Sequence, residues 1–173
     1  LVGCGTAYHS CITAKYWLEE LTKIPVEIDV ASEFRYREAP MPDGGVAIFV
    51  SQSGETLDTL EALRYCKRQN QKILSIVNTI ESTIERESDF VLHTLAGPEI
   101  GVASTKAFTS QLIVLALFAQ YIQQQRNIHV VGSKAIFDSL FDLPKLLQQM
   151  LDNSAHIKAV AKTLRDAKSI FYI

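Results

Sequence analysis

The sequence is poor in cysteine and has no large excess of either charge. Only three cysteines occur in 173 residues, Cys4, Cys11 and Cys66, and no two of them form a C-x-x-C pair. This pattern argues against a disulfide framework or a zinc ribbon and predicts reduced thiols in a cytoplasmic protein. The formal net charge is −2, from 17 basic and 19 acidic residues. Because nucleic-acid binders usually show a basic excess, we expect no nucleic-acid partner.

Long apolar runs and low-complexity segments are also missing. The most apolar run, residues 112–119, lies between Gln111 and Gln120 and is much shorter than the roughly 20 residues that span a bilayer. We therefore expect a buried helix there and no membrane partner. Hydrophobic residues make up 47% of the chain, which is enough apolar surface to form a core and excludes intrinsic disorder.

Short apolar runs alternate with amphipathic segments along the chain. This alternation predicts an α/β fold, a doubly wound, three-layer, mostly parallel five-stranded sheet of the flavodoxin-like type. Ligands of such sheets bind at the carboxyl ends of the strands, so we expect function at the turns after Val2 and Val50. The predicted strands are Leu1–Cys4, Val26–Val30, Val46–Val50, Ile73–Val77 and Phe90–Leu95.

Helical periodicity and breaker residues place the other elements. We predict a long connection without a helix over Ala31–Gly45, where two prolines and a Gly-Gly pair occur, and the start of a last strand at Ile170–Ile173. The apolar residues at both ends indicate strands cut from a longer chain. The predicted helices are Tyr8–Leu21, Leu57–Arg68, Thr105–Gln125, Ile136–Met150 and Asn153–Asp166, with Pro144 starting or kinking one of them.

The most specific local motif is Ser51-Gln52-Ser53-Gly54-Glu55-Thr56, between a predicted buried strand and a helix. Unpaired N–H groups at a helix start attract anions, and three hydroxyls could add donors. The segment contains no Lys or Arg, so dipoles rather than formal charge would hold the ligand. A structural alternative stays open, in which Ser53 is simply the N-cap of the helix.

A second turn, Gly3-Cys4-Gly5-Thr6-Ala7-Tyr8, resembles G-x-G-x-x-G, but Tyr8 stands where the third Gly is expected. Asp29 follows at the end of the next predicted strand, where a ribose-binding acid would lie. A nicotinamide site is therefore one interpretation. The other is a tight turn in which Thr6 faces the same pocket as the Ser51–Thr56 motif.

A third segment, Pro98–Lys106, precedes the longest predicted helix. Glu99 in this segment and Glu55 in the first motif could act as acid–base groups, but a carboxylate at a helix start is the commoner role. Ser104 or Thr105 would cap the helix. Lys106 could act as a Schiff-base or proton-transfer lysine, but most lysines on helices are simply solvated. A nucleophilic role for Cys4 lacks a neighbouring base in the sequence.

Five motifs together carry a resemblance to a known family. The chain resembles the first sugar isomerase (SIS) subdomain of the glutamine–fructose-6-phosphate aminotransferase family. The motif S-Q-S-G-E-T alone indicates only an SIS fold that binds sugar phosphates. The motifs E-I-G-V-A-S-T-K and A-S-E-F-R-Y together narrow the resemblance to this one family. The motifs are residues 3–8, 31–36, 51–56, 86–89 and 99–109.

The resemblance implies which residues bind and which reaction the complete enzyme carries out. That reaction converts fructose 6-phosphate and glutamine to glucosamine 6-phosphate and glutamate. Ala7 replaces a serine of the family pattern and so lacks its hydroxyl, and Val102 would line the sugar side of the pocket. No catalytic residue is implied in this chain, because the family's are in other parts of the polypeptide. The implied binding residues are Thr6, Ala7, Ser51, Gln52, Ser53, Thr56 and Val102.

The resemblance also implies domains and partners. Residues 1–166 would be the first SIS subdomain and residues 167–173 the start of a second. The implied partners are a glutaminase domain and a second SIS subdomain of the same polypeptide, and a second copy in a homodimer. No metal, pyridoxal or nicotinamide cofactor is implied. A regulatory SIS module that senses a phosphosugar remains the alternative of another class.

Overall fold

A computed structural model describes residues 1–101 and 104–171. Contacts divide the chain into two units, Leu1–Val130 and Val131–Ile173. The first unit contains five strands: β1 (Val2–Gly3), β2 (Asp29–Val30), β3 (Val46–Ser51), β4 (Lys72–Val77) and β5 (Phe90–His93). Its helices are α1 (Gly5–Thr22), α2 (Ala31–Arg37), α3 (Leu57–Arg68), α4 (Thr83–Arg86) and α5 (Lys106–Gln125).

All five strands are parallel, in the order β2-β1-β3-β4-β5. Alternate side chains of the central strands β3 and β4 enter two separate cores, as the pleat of a strand requires. On β3, Phe49 packs with residues of α2, α3 and α4, whereas Ile48 and Val50 pack with residues of α1 and α5. The predicted three-layer, doubly wound parallel sheet is therefore confirmed.

The sheet order places a topological switch point between β1 and β3. From β1 the chain moves outward to β2, and it then returns to the other side of β1 to form β3. Register pairs Gly3 with Val50, so the β1–α1 and β3–α3 turns start side by side. Open parallel sheets bind ligands at such a point.

The segment after β2 differs from the sequence prediction. Helix α2 occupies Ala31–Arg37, where we predicted a connection without a helix. Ala31 and Phe34 are buried in one core, and this burial stabilises the helix. Because the helix has only two buried apolar residues, its hydrophobic periodicity is too short to be recognised in the sequence.

Strand β2 is also shorter than predicted, and the backbone of Val26 bonds to side chains of helix α1 instead of a strand. Lys15 Nζ donates to the Val26 carbonyl at 2.6 Å, and the Val26 N–H donates to Glu19 Oε1 at 3.0 Å. These side chains take the place of a neighbouring strand at Val26. The β-ladder with β1 covers Asp29–Val30.

The second unit consists of helices α6 (Ser133–Asp138), α7 (Leu143–Asp152) and α8 (Ala155–Leu164), with a 3₁₀ turn at Ser139–Asp142. The single helix predicted over Ile136–Met150 is thus wrong. Pro144 lies in the first turn of α7, and proline at this point cannot donate to the carbonyl four residues earlier. Residues 170 and 171 form no strand, and the rest of that predicted strand lies outside the described residues.

The membrane prediction can be compared with the helices. Among residues 1–101 and 104–171, no helix combines the length and apolar character needed to cross a membrane. Helix α5 contains the apolar run 112–119, and its Leu115 and Ala119 are fully buried. Leu117 in the same run is 47% exposed, so the helix is buried on one face and the expected fully buried helix is only partly confirmed.

Gly54 lies where the β3–α3 turn meets the start of α4. Its φ is +65°, a left-handed conformation that glycine adopts without steric cost. A Cβ at this position would overlap Ser82 Oγ and Cβ, and Ser82 is buried. The Ile84 N–H donates to the Gly54 carbonyl at 3.0 Å. The turn therefore needs glycine both for its conformation and for the close approach of Ser82.

We expect Gly54→Ala to destabilise the protein more than Gly44→Ala. Both glycines have a positive φ, but a Cβ at exposed Gly44 would contact nothing. Left-handed backbone costs alanine about 1–2 kcal/mol, and overpacking at Gly54 adds about 1–3 kcal/mol. Urea denaturation should show the difference in the free energy of unfolding. Equal losses for the two variants would show that Ser82 moves aside freely.

Candidate functional site

A cavity of about 190 Å³ opens at the carboxyl ends of β1 and β3. Six of the seven binding residues expected from the resemblance line it, and Val102, the seventh, lies outside the described residues. The six are Thr6 and Ala7 from the β1–α1 turn and Ser51, Gln52, Ser53 and Thr56 from the β3–α3 turn. The remaining lining residues are Cys4, Val50, Thr59, Ser104 and Gln111.

Hydrogen bonds within the β3–α3 turn preform its shape. Ser51 is 3% exposed, and its Oγ accepts a hydrogen bond from the Gly54 N–H at 3.0 Å and lies 3.5 Å from Thr56 Oγ1. Ser53 Oγ accepts from the Glu55 N–H at 3.2 Å. Both serine oxygens thus accept bonds from the turn, so their hydroxyl protons can point to a ligand.

The turn is also tied to the end of β4. The Gln52 carbonyl accepts hydrogen bonds from the N–H groups of Asn78 and Thr79, each at 3.2 Å. The side chain of Gln52 lines the cavity. The main-chain bonds therefore fix the backbone of Gln52 at the edge of the cavity.

Helix α3 starts without a side-chain cap. Thr56 precedes its first residue, and no described side chain bonds to the free N–H groups of the first turn. The alternative in which Ser53 caps this helix is therefore wrong, because the Ser53 hydroxyl bonds to Glu55 instead. The uncapped N–H groups and the positive end of the helix dipole favour an anion at this point.

Helix α1 begins at the same cavity. Gly5 is its first residue, Cys4 precedes it, and no described side chain caps this helix start either. Thr6 and Ala7 in its first turn line the cavity. Two helix N-termini therefore converge on a cavity whose described lining contains no Lys or Arg. Dipoles and neutral donors supply its attraction for anions.

The two glutamates considered as acid–base groups cap helices instead. Glu55 Oε1 accepts from the Thr83 N–H at 2.7 Å at the start of α4, and Glu99 Oε1 accepts from the Thr105 N–H at 2.8 Å at the start of α5. These backbone hydrogen bonds lower the pKa of both carboxyls. The expected helix-start role is confirmed, although Glu55 serves α4 rather than α3.

The other reactive side chains have structural surroundings. Burial raises the pKa of Cys11 and of Cys66 to about 11, so neither thiol is activated as a nucleophile. Lys106 is absent from the described cavity lining. No cluster of metal-ligating side chains occurs among residues 1–101 and 104–171.

Asp29 is engaged within the fold rather than free for a ribose. Its Oδ2 lies 2.8 Å from an Nη atom of Arg37, and its Oδ1 accepts from the Val30 N–H at 2.9 Å. A Cβ at Gly3 would lie only 3.1 Å from the backbone of Ala7 and Tyr8. Glycine at position 3 therefore permits close packing of β1 on α1. This packing explains the glycine without a bound dinucleotide.

Sequence reasoning missed Gln111 and Thr59 as lining residues. Gln111 is 2% exposed and Thr59 is 1% exposed. Gln111 belongs to the buried stripe of α5, with Ala107, Leu115 and Ala119. A polar residue within an apolar stripe is a recognisable signal, but it becomes visible only once the buried face of the helix is known.

Comparison with known proteins identifies a domain family for this chain. The SIS domain model matches residues 1–121. Proteins named glutamine–fructose-6-phosphate aminotransferase [isomerizing] from Brucella abortus and Mesorhizobium japonicum are 49% and 50% identical over 174 and 171 residues. These alignments cover 100% and 98% of this chain but only 29% and 28% of the relatives. The chain thus spans less than a third of their length.

Solved structures agree with this grouping. The C-terminal domain of glucosamine-fructose-6-phosphate aminotransferase from Francisella tularensis has a TM-score of 0.89 and 41% identity, covering 95% of this chain and 47% of that one. Glucosamine-6-phosphate deaminase from Thermotoga maritima has a TM-score of 0.66 and 30% identity, covering 71% and 39%. The resemblance drawn from the motifs is confirmed. Since the family model covers most of the sequence, this chain belongs to the SIS domain family.

Proposed function

We propose that this chain is the phosphosugar-binding half of the isomerase domain of an enzyme that makes glucosamine 6-phosphate and glutamate from fructose 6-phosphate and glutamine. The observation that carries the proposal is the cavity in which two uncapped helix starts meet the hydroxyls of Ser51, Ser53 and Thr56. The aminotransferases at about half identity over the whole chain support the reaction.

The phosphate of the sugar would bind at the β3–α3 turn. Its oxygens would accept hydrogen bonds from the serine and threonine hydroxyls and from the N–H groups at the start of α3. Hydrogen bonds to a charged acceptor are stronger than neutral ones. Thr6 and the backbone at Ala7 would add donors from the start of α1. An ester held this way, without a lysine or arginine, can bind and leave again.

The proton transfer of the isomerisation would use residues outside this chain. Such a transfer needs an acid–base group with a pKa near the working pH. The Glu55 and Glu99 carboxyls have lowered pKa values and are bonded to backbone N–H groups, which makes them unsuited to the task. We therefore assign the described cavity to binding and the chemistry to the rest of the enzyme.

The partners and the division of the chain are also proposals. The relatives are more than three times longer than this chain, which leaves room for a glutaminase domain and a second SIS subdomain. Exposed apolar residues on α7, among them Leu147, Met150 and Leu151, fit a surface covered by another part of the enzyme or by a second copy. The boundaries 1–166 and 167–173, the homodimer and the cytoplasmic location stay predictions.

We expect the double variant Ser51→Ala/Ser53→Ala to lose binding of fructose 6-phosphate. Each hydroxyl bond to a phosphate contributes about 1.5–3 kcal/mol, so the dissociation constant of the full-length gene product should rise at least about a hundredfold. Isothermal titration calorimetry measures this change.

Two controls accompany that titration. Ser88→Ala removes a hydroxyl that donates to the Ile84 carbonyl at 2.7 Å and lies outside the described cavity lining, so it should leave the affinity unchanged. NAD should leave the melting temperature of the native protein unchanged. Stabilisation by NAD with no response to fructose 6-phosphate would overturn the proposal.

We expect Ala7→Ser to tighten the binding of fructose 6-phosphate. Ala7 lines the cavity at the start of α1, and a serine there would supply one more hydroxyl donor. A hydroxyl bond to a phosphate contributes about 1.5–3 kcal/mol, so the affinity should rise at least about tenfold in the same titration. Ala7→Val adds bulk without a donor and should weaken binding. Equal affinities for the Ser and Val variants would show that residue 7 does not contact the bound sugar phosphate.

A further inference from the structure

Gln111 is a buried amide in an otherwise apolar part of helix α5. The buried face of this helix repeats every four residues through Ala107, Gln111, Leu115 and Ala119. Gln111 is 2% exposed, yet it is one of the residues that line the cavity. A glutamine in this place lies between the apolar core under the sheet and the phosphate-attracting turns.

The side-chain oxygen of Gln111 is unsatisfied. Its Oε1 is buried and has no hydrogen-bond partner among the described residues. An unpaired buried carbonyl is unfavourable, because it has lost its bonds to water without gaining others. A second buried glutamine on the same helix differs in this respect. Gln123 is 6% exposed and its Nε2 donates to the Ile128 carbonyl at 3.0 Å.

A carbonyl oxygen accepts hydrogen bonds and cannot donate them. It would therefore repel the oxygens of an ionised phosphate and attract a donor. The phosphate has its own donors in the two helix starts and the hydroxyls of Ser51 and Ser53. A ligand that carries hydroxyl groups next to its phosphate would satisfy both parts of the cavity.

We propose that Gln111 is a further binding residue, whose Oε1 accepts a hydrogen bond from a sugar hydroxyl and so selects a polyhydroxylated phosphate ester over phosphate alone. This inference rests on the proposed function and deepens it. It separates the cavity into a phosphate side at the two turns and a sugar side at α5.

The test compares Gln111→Met with the native full-length gene product. Methionine has nearly the volume of glutamine and no hydrogen-bonding amide. The dissociation constant for fructose 6-phosphate should rise about three- to tenfold, the range for loss of one hydrogen bond. The inhibition constant of inorganic phosphate, measured by competition with fructose 6-phosphate, should change less than about twofold.

Thermal unfolding without ligand separates a binding role from a structural one. Removing an unsatisfied buried acceptor should leave the melting temperature of Gln111→Met equal to or above the native value. The matched control, Gln123→Met, removes a satisfied amide of the same stripe. It should lower the melting temperature by about 2–4 °C and leave both ligand constants unchanged.

Three results would overturn the inference. They are an unchanged affinity of Gln111→Met for fructose 6-phosphate, an equal loss for fructose 6-phosphate and inorganic phosphate, and a melting temperature lowered as in Gln123→Met. Failure of the proposed function is recognised separately. In that case the native protein does not bind fructose 6-phosphate, or Ser51→Ala/Ser53→Ala binds it as well as the native protein does.

Discussion

The pairing of Gly3 with Val50 in parallel register is the constraint on which the site depends. Strand β1 has only two residues, but it lies between β2 and β3 and fixes where both of its neighbours end. Helix α1 starts two residues after β1 ends, and α3 starts after the short turn 52–56 that follows β3. Two helix starts therefore face one cavity. The site thus follows from sheet order and register before any ligand-binding side chain is considered.

The electrostatics of the cavity follow from the same arrangement. Three acidic side chains that lie close to lining residues in the sequence have partners within the fold: Asp58 in the first turn of α3 lies 3.7 Å from Arg35, and Glu55 and Glu99 bond to backbone N–H groups. What remains in the cavity is a set of hydroxyls and uncapped N–H groups. Such donors are fixed by the backbone, so little ordering is needed when an anion binds.

Much of this could be predicted from the sequence, and the failures have physical causes. Helix α3, Leu57–Arg68, was predicted at its observed bounds, because a strong amphipathic pattern and a polar turn define it locally. Helix α2 was missed because its burial depends on tertiary contacts of Ala31 and Phe34. The place of Gln111 in the cavity lining and the helix that Glu55 caps were not visible either, since each depends on residues distant in sequence.

The hydrogen bonds of the glutamates and the burial of the thiols keep these groups from reacting with a ligand in the cavity. A carboxylate with a pKa near neutrality beside a bound keto sugar could remove a proton before the rest of the enzyme is in place. Backbone hydrogen bonds to Glu55 and Glu99 prevent this by stabilising the ionised, weakly basic form. Burial has a corresponding effect on Cys11 and Cys66, whose raised pKa values keep both thiols protonated. Under the proposed function, the same local bonds that build the turns therefore also keep Glu55 and Glu99 from acting as bases on the bound sugar.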